Sequence, residues 1–109
     1  MVPKNVTIVR FHPNVVEVGN GAFHNCKQLR EVVFNDGLQK IGQFAFHRCT
    51  SLSSIALPPV SAFGAGAFSY CSKLREVVFH GVPREIAKNA FHNCTSLERF
   101  GNLGVCAVQ

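Results

Sequence analysis

The chain has 109 residues, of which 47% are hydrophobic and 16% are charged, so its composition is that of one folded domain and excludes a disordered segment. Lysine and arginine outnumber aspartate and glutamate by 11 to 6, which gives a net charge of +5. The basic residues are scattered and form no continuous run, which argues against a nucleic-acid-binding arm. The mild positive charge favours acidic partners at long range.

The first ten residues lack the apolar core of a secretory signal. No apolar stretch approaches the ~18 residues that span a bilayer. We therefore expect no association with a membrane, and an intracellular location is favoured over export.

A short motif returns four times along the chain and defines its organisation. Each copy reads Ala-Phe-x-x-Cys, and the copies stand at residues 22–26, 45–49, 67–71 and 90–94. Their phenylalanines are 22 or 23 residues apart: Phe23, Phe46, Phe68 and Phe91. Tandem repetition at this period is typical of a solenoid, in which each coil packs only on its neighbours. We predict one repeat array with the four phenylalanines stacked in a ladder.

A strand-like segment follows each motif. In the first unit, Val32 and Phe34 alternate with Glu31 and Val33. Side chains alternate across a strand, so we expect the first pair to face the core and the second pair to face outward. The segment from glycine to cysteine is about two helical turns long, which predicts a short α- or 3₁₀-helix held by stacking.

The repeat boundaries follow from this alignment. A half repeat at 6–17 precedes four repeats at 18–40, 41–62, 63–85 and 86–109, and residues 1–109 form one domain. The count is five strands and four short helices. The last unit departs from the pattern, because Asn102 stands where Phe34 and Phe79 stand in other units.

Residues 41–58, which read IGQFAFHRCTSLSSIALP, closely follow the pattern I-G-x-x-A-F-x-x-C-x-x-L-x-x-I-x-x-P. The chain thereby resembles the BspA-like leucine-rich repeat family (leucine-rich repeat 5) and is similar to the repeat proteins abundant in diatoms. The resemblance implies an α/β fold, a short leucine-rich-repeat solenoid (horseshoe segment) with about five parallel strands and four short convex-side helices. It also implies binding to other proteins, since members often bind host or matrix proteins.

The cysteines and histidines of the motif invite a disulfide or zinc interpretation. Four cysteines share one repeat position, Cys26, Cys49, Cys71 and Cys94, and we interpret them as reduced thiols packed in the core. Cys106 lies outside this ladder and is the better candidate for reactivity or for pairing with another molecule. His24, His47 and His92 also share a position, interrupted by Ser69, and we interpret them as solvated side chains on the convex side because each lies two residues from a cysteine, where side chains do not converge.

The sequence gives little reason to expect catalysis. It has no glycine-rich phosphate loop, no paired catalytic carboxylates and no nucleophile elbow, since its glycines recur with the repeat. We expect no enzyme activity, no metal and no cofactor.

The outward strand residues predict a binding surface. A small apolar centre with charged neighbours on a concave sheet suits protein recognition, although an ordinary solvated sheet face fits the same pattern. The residues assigned to this face are Arg10, Glu31, Val33, Ser54, Ala56, Glu76, Val78, His80 and Arg99. A protein-interaction module is the first interpretation. The second is a structural segment of a longer or self-associating array, because exposed coil ends invite end-to-end pairing.

Overall fold

The computed structural model describes residues 2–59, 62–80 and 89–102 and shows a parallel β-solenoid of about four turns. Eight strands lie in the described ranges. Five are on one side of the coils: β1 (Ile8–Arg10), β3 (Glu31–Val33), β5 (Ser54–Leu57), β7 (Glu76–Phe79) and β8 (Arg99–Asn102). Three are shorter: β2 (Glu17–Val18), β4 (Lys40–Ile41) and β6 (Ala62–Phe63).

The strands pair in parallel from coil to coil. The longer strands form two hydrogen-bonded groups, β1-β3 and β5-β7-β8, while the shorter strands form a single sheet in the order β2-β4-β6. The register joins Val9 to Val32 and Ile55 to Val77, so residues that are equivalent in sequence stand side by side in space. The solenoid predicted from the repeat is therefore present.

Phenylalanine, cysteine and leucine ladders fill the interior. The rings of Phe23 and Phe46 stack with centroids 5.1 Å apart, Phe46 and Phe68 repeat that distance, and Phe68 and Phe91 lie 5.3 Å apart. Offset or parallel aromatic contacts at this distance stabilise the stack beyond the area that they bury. Leu29, Leu52 and Leu74 are fully buried beside them. The core is thus continuous along the array.

The four short helices predicted on the convex side are wrong, because the described residues contain no helix. The segment from glycine to cysteine is instead a run of turns. In the first coil, every second backbone N–H donates to the carbonyl three residues earlier (Ala22 to Gly19, His24 to Gly21, Cys26 to Phe23), at 3.1–3.2 Å. The N–H groups between them donate to the next coil (Gly21 to Gln43, Phe23 to Ala45, Asn25 to His47), at 2.7–2.8 Å. A helix needs every one of these groups for its own bonds, so bonding between coils prevents it.

The sheet β2-β4-β6 is an element that sequence reasoning missed. Its strands are only two residues long, which is too short for alternation to be recognised, but each ends in a buried apolar residue: Val18, Ile41 and Phe63. This sheet closes the coil between the longer strands and the turns. One sequence prediction, the reactive Cys106, lies outside the described residues.

Glycine at the start of the turn segment allows adjacent coils to approach. At Gly42, a Cβ atom would lie 2.8 Å from the backbone nitrogen of Asn20 and 2.9 Å from the carbonyl oxygen of Val18. At Gly64, a Cβ would overlap the backbone of Gln43 and Gly42. Gly19 holds the same repeat position, but a Cβ there would meet nothing within 4 Å. Glycine is therefore required at this repeat position only where the backbone of a neighbouring coil lies against it.

We expect Gly42→Ala and Gly64→Ala each to destabilise the protein by about 1–3 kcal/mol, the usual cost of overpacking a tight contact. Gly19→Ala is the matched control and should leave the free energy of unfolding nearly unchanged. Chemical denaturation of the three variants measures the differences. Equal effects at all three positions would show that the local turn, and not the contact between coils, requires glycine.

Candidate functional site

The residues assigned to the binding face lie on or directly after the longer strands, and most are open to solvent. Seven are exposed and two are half-buried, the latter being Glu76 and Val78. Strand register aligns Ser54, Glu76 and Arg99 in one column and Ala56 with Val78 in the next. In the first coils it likewise aligns Arg10 with Val33. The structure brings these side chains onto one surface, which we call the long-strand face.

A depression of about 880 Å³ lies on the middle of the long-strand face. All of the assigned residues except Arg10 and Arg99 line it. The apolar residues of its lining include Val33, Ala56 and Val78, and the charged residues are Arg30, Glu31, Asp36 and Glu76. Sequence reasoning did not assign Arg30 and Asp36, because both lie at strand ends, where the alternation that separates inward from outward residues no longer applies. The depression combines an apolar centre with charged surroundings, as protein interfaces do.

The depression spans the junction of the two groups of longer strands. Backbone bonds join neighbouring coils where Arg30 donates to Thr7 (2.8 Å) and Arg75 donates to Ser53 (2.8 Å). Within the described residues, no equivalent bond joins Ser53 to Arg30, and β3 lies beside β5 without hydrogen-bonded pairing. Backbone polar groups without a partner retain their capacity to bind water or a ligand. The junction therefore adds polar backbone to the depression.

Charged side chains on the long-strand face are partly paired with one another. Glu76 forms an ion pair with Arg99 at 3.8 Å, and Glu98 forms one with Arg75 at 3.3 Å. Three of the four side chains are well exposed and Glu76 is half-buried, and ion pairs near the surface contribute little to stability. Glu31 forms no ion pair with any described residue. Its carboxylate is thus available to a basic group from outside.

Three cysteines of the ladder are buried, Cys94 is partly exposed, and three of the four thiols are hydrogen-bonded. The thiol of Cys49 donates to the carbonyl oxygen of Phe23 at 3.3 Å, that of Cys71 to Phe46 at 3.2 Å, and that of Cys94 to Phe68 at 3.1 Å. Burial raises the pKa of Cys49 to about 12 and also raises the pKa of Cys26. The four described cysteines are free thiols. Cys49, Cys71 and Cys94 thus act as small side chains that also satisfy a carbonyl of the preceding coil, and Cys26 packs in the core without such a bond.

The histidines share one column but differ in burial. His24 and His47 are half-buried and stack at 5.1 Å, whereas His92 is exposed, so the expectation of solvated side chains holds only for His92. Ser69 replaces histidine in the third repeat, and its buried hydroxyl lies 2.6 Å from Nδ1 of His47. This contact between repeats was missed because sequence alone treats Ser69 as a simple interruption.

The contact between His47 and Ser69 resembles a nucleophile and its base, but the hydrogen bonds run in the opposite direction. The Ser69 hydroxyl donates to the carbonyl oxygen of Gly66 at 2.9 Å, so it must accept from Nδ1–H of His47. Nε2 of the same ring accepts from Nε of Arg48 at 3.3 Å. A base that activates serine would have to accept the serine proton. The arrangement holds the neutral Nδ1–H form of His47 in place.

Neither a membrane helix nor a metal centre was found in the ranges 2–59, 62–80 and 89–102. No helix there could cross a bilayer, and no three side chains of histidine, cysteine, aspartate or glutamate come together as ligands.

The chain has a repeat of 22 or 23 residues, strands that pair in parallel from coil to coil, and buried ladders of leucine and phenylalanine. These features define it as a leucine-rich repeat solenoid. The family profile described as the BspA type leucine rich repeat region matches residues 3–103 with 6 copies. The chain belongs to this family. Leucine-rich repeat proteins generally serve in protein interaction or as surface repeats, and they are typically not enzymes.

Two solved structures are similar over most of this chain. A leucine-rich repeat protein of T. pallidum superposes with a TM-score of 0.77 at 32% identity, over 89% of this chain and 45% of that one. A leucine-rich cell surface protein of Faecalibacterium prausnitzii A2-165 superposes with a TM-score of 0.73 at 25% identity, over 95% of this chain and 31% of that one. This chain therefore spans less than half the length of either. Comparison with curated proteins finds no match.

Protonation of His47 should make stability depend on pH. Burial lowers the pKa of His47 from its ordinary 6.5, and the neighbouring His24 and Arg48 lower it further. The other side chains in contact with the ring, Ser69 and Tyr70, carry no negative charge that would raise this pKa. As pH falls through about 6.5, the unfolded chain gains this proton before the folded protein does. We therefore expect the free energy of unfolding to decrease between pH 7.5 and 5.5.

His47→Gln keeps an amide that can donate to Ser69 but does not titrate, so it should flatten this decrease. His80→Gln removes an exposed histidine from the long-strand face and serves as the control. Chemical denaturation at several pH values gives the slope for each protein. An unchanged slope in His47→Gln would mean that another group causes the pH dependence.

Proposed function

We propose that this protein is a protein-interaction module whose partner binds the long-strand face. The observation that carries this proposal is the depression of about 880 Å³, in which exposed Val33 and its neighbour Ala56 are surrounded by charged side chains. Protein interfaces bury an apolar centre within a polar rim. A solenoid presents such a centre on several strands at once, which gives an extended surface for contact.

Charge on this face favours a partner that carries basic side chains near its apolar contact. The described carboxylates of the depression are those of Glu31, Asp36 and Glu76, against one guanidinium, Arg30. Glu76 already shares its charge with Arg99, whereas Glu31 has no ion pair among the described residues. Glu31 and Asp36, which has no ion pair among the described residues either, are therefore the carboxylates that a partner's lysine or arginine would reach without breaking an existing ion pair.

Charge reversal tests the proposal. The partner is first captured by cross-linking on the wild-type protein, identified by mass spectrometry and purified, and its affinity is then measured by calorimetry. We expect Glu31→Lys and Glu76→Lys each to weaken binding by about tenfold, which corresponds to about 1.4 kcal/mol. Thermal unfolding should be nearly unchanged, because both side chains lie on the surface.

Glu17→Lys makes the same change of charge on the short strand β2, away from the long-strand face. It should bind as the wild type does. Retained affinity in Glu31→Lys and Glu76→Lys, or an equal loss in Glu17→Lys, would contradict the placement of the partner on the long-strand face.

A second candidate function is self-association through the last described coil. Phe91, Cys94, Leu97 and Phe100 are partly exposed and border a depression of about 330 Å³. Their equivalents one coil earlier, Phe68, Cys71, Leu74 and Val77, are at most 1% exposed, because a further coil covers them. A coil from a second copy would bury the same ladder here. The protein would then be a structural segment of a larger array.

Light scattering across a range of concentrations tests this second candidate. We expect the apparent mass to rise with concentration, because each copy would offer an apolar end to the next. Leu97→Lys places a charge in the depression and should hold the mass at that of a monomer. Thr95→Lys adds the same charge at an exposed position of the same coil and should not. A constant monomer mass for the wild type would exclude this candidate.

A further inference from the structure

The turn segments on the side of the coil away from the long-strand face carry only positive charge. We call them the turn ridge, residues 19–28, 42–51, 64–73 and 89–96. These residues contain no aspartate or glutamate but include Lys27, Arg48 and Lys73. The described carboxylates lie on strands, directly before a strand or in the turns after a long strand: Glu17, Glu31, Asp36, Glu76 and Glu98. Among the described residues, carboxylates are thus absent from the turn ridge, whereas the long-strand face carries charges of both signs.

Backbone geometry at two positions of the turn ridge favours glycine or asparagine. Each repeat has two residues with positive φ, four apart. In the outer repeats they are Gly21, Asn25, Asn89 and Asn93, which adopt this conformation readily. In the two central repeats the same conformation is imposed on three bulky side chains: Phe44 (φ 54°), Arg48 (φ 62°) and Tyr70 (φ 60°). Strain of this kind persists where the surrounding structure imposes it, and strained residues are common at binding sites.

The three strained side chains meet on the surface around one histidine. The His47 ring lies edge-on to Phe44 at 5.3 Å and to Tyr70 at 5.5 Å. Phe44 is 46% exposed and Tyr70 is 38% exposed, so two aromatic rings stand partly in water. Exposed aromatic side chains beside a cation are characteristic of interaction surfaces.

Arg48 is held in a fixed orientation within this group. Its guanidinium carbon lies 5.0 Å from the centre of the Tyr70 ring, and its Nε donates to Nε2 of His47 at 3.3 Å. Within the described residues, its terminal nitrogens have no hydrogen-bond or ion-pair partner. A guanidinium that is fixed in this way loses little conformational freedom when it binds a carboxylate.

We propose that Arg48, with Phe44 and Tyr70, forms a second binding surface for an acidic protein segment that carries aromatic or apolar side chains. The segment's carboxylate binds the free terminal nitrogens of Arg48, and its apolar side chain contacts the exposed rings. The surface is separate from the long-strand face, so the proposal does not depend on the function assigned to that face.

The observations favour a protein over a nucleic acid as the partner. A single strand of nucleic acid brings a phosphate with every nucleotide and is bound along a groove of many cations. The turn ridge offers one fixed arginine, and its two described lysines, Lys27 and Lys73, stand in separate coils. One guanidinium between two aromatic rings instead suits a single carboxylate next to an apolar side chain.

The test uses a random copolymer of glutamate and tyrosine as an acidic aromatic probe. Its binding is compared by fluorescence anisotropy with that of polyglutamate and of an oligothymidylate of equal charge, at low and moderate salt. We expect the copolymer to bind most tightly and polyglutamate to bind more weakly. Equal or tighter binding of the oligothymidylate would overturn the proposal in favour of nucleic acid.

Arg48→Asn is the most informative variant, because asparagine occupies this position in two other repeats, Asn25 and Asn93, and fits the same backbone conformation. It should weaken binding of the copolymer by about tenfold while the melting temperature stays the same or rises, since the backbone strain is relieved. Arg30→Gln removes one positive charge from the long-strand face and should bind the copolymer nearly as well as the wild type. Equal losses in the two variants would show that only net charge matters and would overturn the proposal.

Discussion

Hydrogen bonding between coils is the constraint on which the rest of this structure depends. On the turn ridge, every second backbone N–H donates to the neighbouring coil, as Phe23 does to Ala45 and Phe46 does to Ala67, both at 2.7 Å. These bonds fix the separation of the coils and stack the phenylalanine rings 5.1–5.3 Å apart. The thiols of Cys49, Cys71 and Cys94 then reach carbonyls of the preceding coil, and glycine is required where two backbones meet. A helix in the same place would have kept these bonds within one coil and left the coils without this connection.

The sequence repeat was enough to predict the buried positions of the core, but not the conformation of the turns. A buried position has the same neighbours in every coil, so Phe23, Phe46 and Phe68 could be recognised as one ladder from spacing alone. The turns could not be recognised, because positive φ at Phe44 or Tyr70 contradicts the ordinary preference of those residues. Nor does the sequence show that β3 and β5 lie together without hydrogen bonds, since their outward residues follow the same pattern as those of paired strands.

The candidate binding face shows the same division. Alternation along the strands was enough to place Glu31 and Val33 on the outside, because a strand has only two faces. It could not reveal that Glu76 is paired with Arg99 while Glu31 has no ion pair among the described residues, because pairing depends on the directions that long side chains take. These contacts separate a carboxylate that is open to a partner from one that is already engaged. Sequence therefore predicted which strand residues face outward, and the structure shows which of their charges are paired.

Residues that differ from their equivalents in the other coils require an explanation other than stacking. A position that stays the same in every coil is explained by stacking, whereas a change must be explained by what that side chain contacts. Ser69 breaks the histidine column and holds His47 by a hydrogen bond of 2.6 Å. Phe44, Arg48 and Tyr70 break the glycine and asparagine columns at a cost in backbone strain, and none of the three is buried. Stability of the local backbone alone would favour glycine or asparagine at these exposed positions, and the three side chains instead gather around His47, which is the arrangement that our proposed second binding surface explains.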